Sequence, residues 1–134
     1  MIDKTAVILC GGKGSRLGEL GKKMPKTLVK VQGKPILWYI LKSLKKNNFN
    51  HFILPVGFKG QQIIKYLNNN IEFKNFNIDI ISTGINNSIA QRIYRIKKHI
   101  KSEDFLILNG DAIFYANLSE ILKKHKNKKK NISF

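Results

Sequence analysis

Leu9 to Leu28, LCGGKGSRLGELGKKMPKTL, gathers residue types that handle phosphates. Glycines at 11, 12 and 14 carry no Cβ, so their backbone N–H groups can come close to a phosphate or a base. Ser15 and Arg16 follow directly, and Pro25-Lys26 comes after a short polar loop. Arg16 and Lys26 supply fixed positive charge where a polyphosphate would lie. A strand, a glycine-rich turn and two spaced cations read as a cradle for a nucleoside triphosphate. The loop is not a Walker A motif, because no Gly-Lys-Ser/Thr follows the required spacer. Nor is it a dinucleotide fingerprint, since Leu17 stands where the third glycine or alanine belongs.

Other candidates carry less. Asp111 follows an apolar run directly and so projects at the edge of a sheet, although Asn109-Gly110-Asp111 also suits a turn in which Asp bonds its own backbone. His51, His99 and His125 lack metal-ligand spacing and read as surface or helix-end residues. Cys10, the one cysteine, lies inside an apolar run and reads as a buried small hydrophobe; it excludes an intramolecular disulfide. No set of nucleophile, base and orienting group emerges. Trp38 and Tyr39 read as packing residues.

Short apolar runs alternate with helical patterns. Strands are expected at 6–10, 51–56, 78–81 and 105–108, with another beginning at Ile132-Phe134. Helices are expected at 35–47, 61–68, 89–100 and 118–125. Pro35 suits a first turn, and Asn117 with Glu120 three residues on suits a cap. The alternation implies βαβ units in a mostly parallel sheet, with ligands outside the carboxyl ends of its strands. The glycine loop and Asp111 both fall there.

The two-part signature, glycine-glycine-x-glycine-Ser-Arg-Leu followed by Pro-Lys, resembles that of the sugar-phosphate nucleotidyltransferases. Val31 to Trp38, Val56 to Gly60 and Ile64 to Leu67 look like later segments of that family. Ser82-Thr83-Gly84, Arg92 to Ile96 and Asn109-Gly110-Asp111 are most similar to its glucose-1-phosphate cytidylyltransferase branch. Where that branch has Gly-Gly-Arg, this chain has Ala90-Gln91-Arg92. The resemblance implies an α/β, Rossmann-like three-layer sandwich, with residues 1–134 forming the nucleotide-binding part of one domain. It implies transfer of a nucleotidyl group, from CTP by preference, to a sugar 1-phosphate, releasing pyrophosphate. Arg16 and Lys26 would be catalytic. Leu9, Gly11, Gly12, Gly14, Ser15, Thr83, Gly84 and Gly110 would line the nucleotide, with Gln91 an alternative base contact. Asp111 would hold Mg²⁺. The resemblance spans about the first half of a typical member, so the chain looks truncated: the family's second metal-binding aspartate and most of its sugar surface have no counterpart. A fragment, a shortened reading frame and a short protein needing a partner are all consistent with this. Dimerisation through an unfinished sheet is a further expectation. Transfer to phosphocholine or a heptose phosphate, use of dTTP or GTP, and a catalytically incomplete nucleotide-binding module are the alternatives.

Composition bounds these readings. A chain of 134 residues with 43% hydrophobic content supports one packed core. No apolar run reaches membrane-spanning length, and the N-terminus lacks a signal-peptide arrangement, so a cytoplasmic protein is expected. The charge of +17 favours anionic partners, but Lys, Ile and Asn are abundant throughout, as compositional bias would give. A nucleic-acid surface calls for interleaved aromatics and arginines. Only Arg16, Arg92 and Arg95 are arginines, and the Lys123–Lys130 stretch reads as a solvated helix end, so nucleic acid is not the expected partner. Surface-polysaccharide synthesis is a family-level expectation only.

Overall fold

Ala6-Val7-Ile8 offers no polar side chain to either face, and strand β1 (Thr5–Leu9) is buried between two neighbours. The computed structural model describes residues 3–12, 17–128 and 131–133. Helix α1 (Glu19–Lys23) is short, with Glu19 in its first turn and two lysines in its last, matching the helix dipole. A 3₁₀ turn, Lys26–Leu28, leads into a small antiparallel hairpin, β2 (Lys30–Val31) and β3 (Lys34–Pro35). Gln32 (φ 48°) and Gly33 (φ 82°) make its turn, both left-handed as a type I′ turn requires. Then follow α2 (Ile36–Lys46), β4 (His51–Val56), α3 (Gly60–Asn68), β5 (Ile78–Ser82), α4 (Ile89–Ile96), β6 (Phe105–Asn109) and α5 (Leu118–Lys128).

The main sheet has the order β5-β4-β1-β6, and all its pairs are parallel. Register places Ala6 and Ile8 on one face with Phe52, Leu54, Leu106 and Leu108. Against that face pack Leu37, Ile40, Leu41 and Leu44 of α2, Ile63 and Leu67 of α3, and Leu118 of α5. Each such side chain contributes about 1.5–3 kcal/mol on full burial. The opposite face buries Val7 and Ile53 under Ile96 of α4. The result is the expected three-layer α/β sandwich with a parallel sheet.

The expected helices and the four strands expected between residues 6 and 108 are present, with shifted ends. The helix expected to reach Ile100 stops at Ile96 and tightens into a 3₁₀ turn, Lys97–His99. Ile96 and Ile100 both meet the sheet face, so the apolar period continues although the hydrogen-bond pattern changes. Ile132 and Ser133 form no strand, and Phe134 lies outside the described residues. His51 is not a surface residue: it is buried at the start of β4, with Nδ1 3.3 Å from Thr5 Oγ1 and Nε2 2.8 Å from Asp79 Oδ2. It thereby ties three strands together at the end of the sheet where they begin. Among the described residues, no helix is long and apolar enough to cross a membrane.

Candidate functional site

Strand order reverses between β1 and β6, because the chain runs outward from β1 through β4 to β5 and then returns to the other side of β1. The loops leaving β1 and β6 therefore diverge, and a crevice opens beyond their carboxyl ends. A cleft of about 290 Å³ lies there. Leu9, Gly11 and Gly12 line it from β1, Gly110 and Asp111 from β6, and Lys26 from its 3₁₀ turn. Six residues named from sequence thus meet in one cavity.

Close approach of the two strand ends depends on Gly110. Its N–H donates to Leu9 O at 3.0 Å. A Cβ at Gly110 would lie 2.8 Å from Leu9 O and 3.1 Å from Cys10 Sγ, so a side chain here would force the two ends apart. Thr27 is buried beneath, its Oγ1 3.9 Å from Cys10 Sγ. Pro25 O accepts from Leu28 N–H at 3.0 Å, and Lys26 O accepts from Val29 N–H at 3.0 Å; these bonds close the turn that carries Lys26. Burial pushes the Cys10 thiol up to about 12, with the Thr27 contact opposing and Asp111 adding to the rise, so Cys10 is neither nucleophile nor thiolate ligand.

Lys26 Nζ donates to Asp111 Oδ2 at 3.0 Å, and both side chains stay partly exposed, 30% and 40%. A pair this accessible is worth no more than about 1 kcal/mol, so an incoming phosphate or cation can replace either partner. The two groups expected to act on the phosphates and on a metal are neighbours across the cleft.

The remaining wall comes from the segment between β5 and α4, through Ile85 and Asn87, and from the first turn of α4, through Ile89 and Arg92. Arg92 is 5% exposed. Its Nη1 donates to Thr83 Oγ1 (2.7 Å) and Gly84 O (2.7 Å), and its Nη2 to Gly11 O (3.0 Å) and Ile85 O (3.1 Å). Burial, and then the nearby Arg95 charge, pull the guanidinium below its ordinary value. Thr83 lies wholly buried behind this wall, donating to Val56 O at 3.0 Å, and Asn87 Nδ2 donates to Thr83 O. Thr83 and Gly84 therefore shape the wall through Arg92 rather than lining the cleft. Gln91 is the third residue of a capping box: its Oε1 accepts from Ser88 N–H (2.7 Å), its N–H donates to Ser88 Oγ (3.2 Å), and it does not line the cleft. Gly14, Ser15 and Arg16 lie outside the described residues. Sequence reasoning gave no site role to Arg92, Asn87, Ile85 or Ile89. Only Arg92 carried a signal, as one of three arginines among 25 basic residues and as the arginine of the segment set against the branch's Gly-Gly-Arg.

A parallel sheet flanked by helices, with a glycine-lined cleft at its point of strand reversal, defines a Rossmann-like α/β protein. The nucleotidyl transferase family model matches residues 5–134, and the chain belongs to that family. It is 34% identical over 142 residues to a probable glucose-1-phosphate cytidylyltransferase of Bacillus subtilis, covering 92% of this chain and 56% of the relative. It is 32% identical over 129 residues to the UTP–glucose-1-phosphate uridylyltransferase AglF of Haloferax volcanii, covering 96% and 52%. Among solved structures it is similar to HddC from Yersinia pseudotuberculosis complexed with GMP-PN, with a TM-score of 0.79 and 26% identity over 91% of this chain and 54% of that one. The chain spans about half the length of these relatives.

Proposed function

We propose that this chain carries the nucleotide-binding half of a sugar-phosphate nucleotidyl transfer, with CTP as the favoured nucleotide. The observation that carries the reading is the convergence of Gly11, Gly12, Lys26, Gly110 and Asp111 on one cleft at the sheet's switch point. An oxygen of the sugar 1-phosphate attacks the α-phosphorus of the nucleoside triphosphate. A new P–O bond forms, the bond between α-phosphorus and the bridging oxygen breaks, and pyrophosphate leaves. Such a reaction needs in-line positioning and neutralisation of building charge more than a protein base.

The amides of Gly11 and Gly12 hold phosphate oxygens, and Leu9 borders the nucleotide. Lys26 turns from Asp111 to the α-phosphate as negative charge builds there. Arg16 holds the β- and γ-phosphates and draws off pyrophosphate. Asp111 is the one carboxylate among the described residues that line the cleft. One carboxylate together with substrate phosphates fits what Mg²⁺ usually takes, and the ion would neutralise charge across the phosphates. CTP is favoured on the name of the Bacillus relative and on the Thr83-Gly84 and Arg92 segments; the Haloferax and Yersinia names carry other bases. A cytoplasmic reaction goes with this reading, since its substrates would be free nucleoside triphosphates and sugar phosphates.

Calorimetric titration with CTP, UTP, GTP, ATP and dTTP in Mg²⁺, followed by pyrophosphate release with glucose 1-phosphate, tests the reading. Saturable binding of one nucleotide that Arg16→Ala weakens supports it; binding to none overturns it. The single carboxylate in the cleft also favours a second reading, a nucleotide-binding module without turnover. Binding without pyrophosphate release would select that module. With turnover, Lys26→Ala lowers kcat by about 10²–10³-fold.

A further inference from the structure

Among the described residues, the buried cation Arg92 has no carboxylate partner. Among the described residues its guanidinium meets only carbonyl oxygens and the Thr83 hydroxyl. Burying an unneutralised charge is costly, so an arrangement selected only for stability would pair it or replace it with an apolar side chain. This one leaves net positive charge on the wall of a cleft already furnished for an anion.

The geometry around it is specific. Two planar N–H₂ groups reach four acceptors on two separate loops, Gly11 after β1 and Thr83 to Ile85 after β5. Two glycines make room for it. A Cβ at Gly11 would collide with the guanidinium, coming within 2.8 Å of Nε, and a Cβ at Gly57 would lie 2.8 Å from Nη1. Holding Gly11 O also fixes the next peptide plane, because C=O and N–H point in opposite directions across a trans peptide. The orientation of the Gly12 N–H is therefore set by Arg92. Among the described residues, neither the Gly11 nor the Gly12 N–H has a hydrogen-bond acceptor.

We propose that Arg92 is a positioning residue for nucleotide binding: it holds the Gly11–Gly12 amides and the Ile85–Ile89 wall at one fixed separation, so that triphosphate and base are gripped in register. The proposal rests on the nucleotidyl transfer reading above. Lysine cannot substitute, since it offers a point charge and no planar fork.

The test is titration of the wild-type chain, Arg92→Lys, Arg92→Ala and the remote core variant Ile40→Val with the five nucleoside triphosphates in Mg²⁺, with thermal melts of each. The expected result is that both Arg92 variants bind the preferred nucleotide at least tenfold more weakly and discriminate less between bases. Ile40→Val keeps the wild-type Kd despite a lower melting temperature. Ethylguanidinium, which fits the space left in Arg92→Ala, restores part of the affinity. A folded Arg92→Lys with wild-type Kd and discrimination overturns the proposal while leaving the nucleotide reading intact. Absence of binding by the wild-type chain overturns both. Should Arg92→Ala fail to fold, Arg92→Lys alone decides.

Discussion

Gly11 and Arg92 divide one small volume, and either can be disturbed through the other. A Cβ at Gly11 has to displace a guanidinium held by four hydrogen bonds. We expect Gly11→Ala to destabilise the fold by roughly 1–3 kcal/mol, the usual loss when buried polar contacts break. The double variant Gly11→Ala/Arg92→Ala should cost clearly less than the sum of the singles, because both remove the same contacts. Urea melts of the four proteins check this, and strict additivity would show that the two residues act apart. Cys10 gives a second expectation. With its thiol pushed up to about 12, only about one in 10⁵ is ionised at pH 7, and the side chain is buried. Iodoacetamide should label the native protein no faster than it unfolds; rapid native labelling would contradict the burial. The residues of the cleft were legible in sequence where their chemistry is local: glycines after a strand, a Pro-Lys turn, an Asp at a strand end. Arg92 was not, because its partners at Gly11 and Thr83–Ile85 come together only through the sheet order. Gln91 illustrates the reverse: a polar side chain near the site whose carbonyl oxygen serves its own helix end.

At the scale of the elements, a cap secures the helix that walls the cleft, and a tethered aromatic joins two elements away from it. Ser88 and Gln91 form a reciprocal capping box at the start of α4, the helix that carries Arg92. Ser88→Ala should therefore cost about 1 kcal/mol, as N-cap losses usually do, and also weaken nucleotide binding, while Asn117→Ala at the cap of α5 costs a similar amount without touching affinity. Thermal melts beside calorimetry separate the two effects. On the far side, Trp38 Nε1 donates to Glu72 Oε2 at 2.8 Å, tying α2 to the turn after α3. That bond, with Lys42 and Lys34 nearby, holds the Glu72 carboxyl below its ordinary value. A lowered folded pKa means that the contribution is present above the unfolded value and lost as pH falls through the folded one. Fluorescence of Trp38, the one tryptophan, should therefore change with a midpoint below the ordinary ~4.3 of a glutamate, and Glu72→Gln should abolish that transition. A midpoint above 4.3 would contradict the assignment. Element types were readable because buried parallel strands and amphipathic helices leave strong periods. The hairpin β2–β3 was not, since each strand is two residues long and Gln32 is an unusual occupant of a left-handed turn position. The early end of α4 was missed because apolar spacing reports which side chains meet the sheet, not how the backbone between them is bonded.

At the scale of the molecule, a strong charge and an open sheet edge pull in opposite directions. β6 pairs with β1 on one side and, among the described residues, with no strand on the other. Phe105 and Ile107, on the face that α4 covers over β1, β4 and β5 but not over β6, remain 38% and 40% exposed. Unpaired backbone beside exposed apolar side chains is a template for pairing with another strand. Against this stands a formal charge of +17, which makes any two copies repel. Repulsion is screened as the Debye length falls from about 10 Å at 0.1 M salt to about 3 Å at 1 M, whereas hydrogen bonding and apolar contact at the edge are not. Self-association should therefore rise with salt, the opposite of what charge-driven binding would give. Sedimentation velocity at 0.05 M and 0.5 M NaCl should show a monomer in the first and a larger species in the second. Ile107→Lys, which places a charge on the edge strand without touching the cleft, should keep the protein monomeric in both. Association that weakens with salt, or that persists in Ile107→Lys, would move the contact away from β6 and leave the edge guarded by something other than charge.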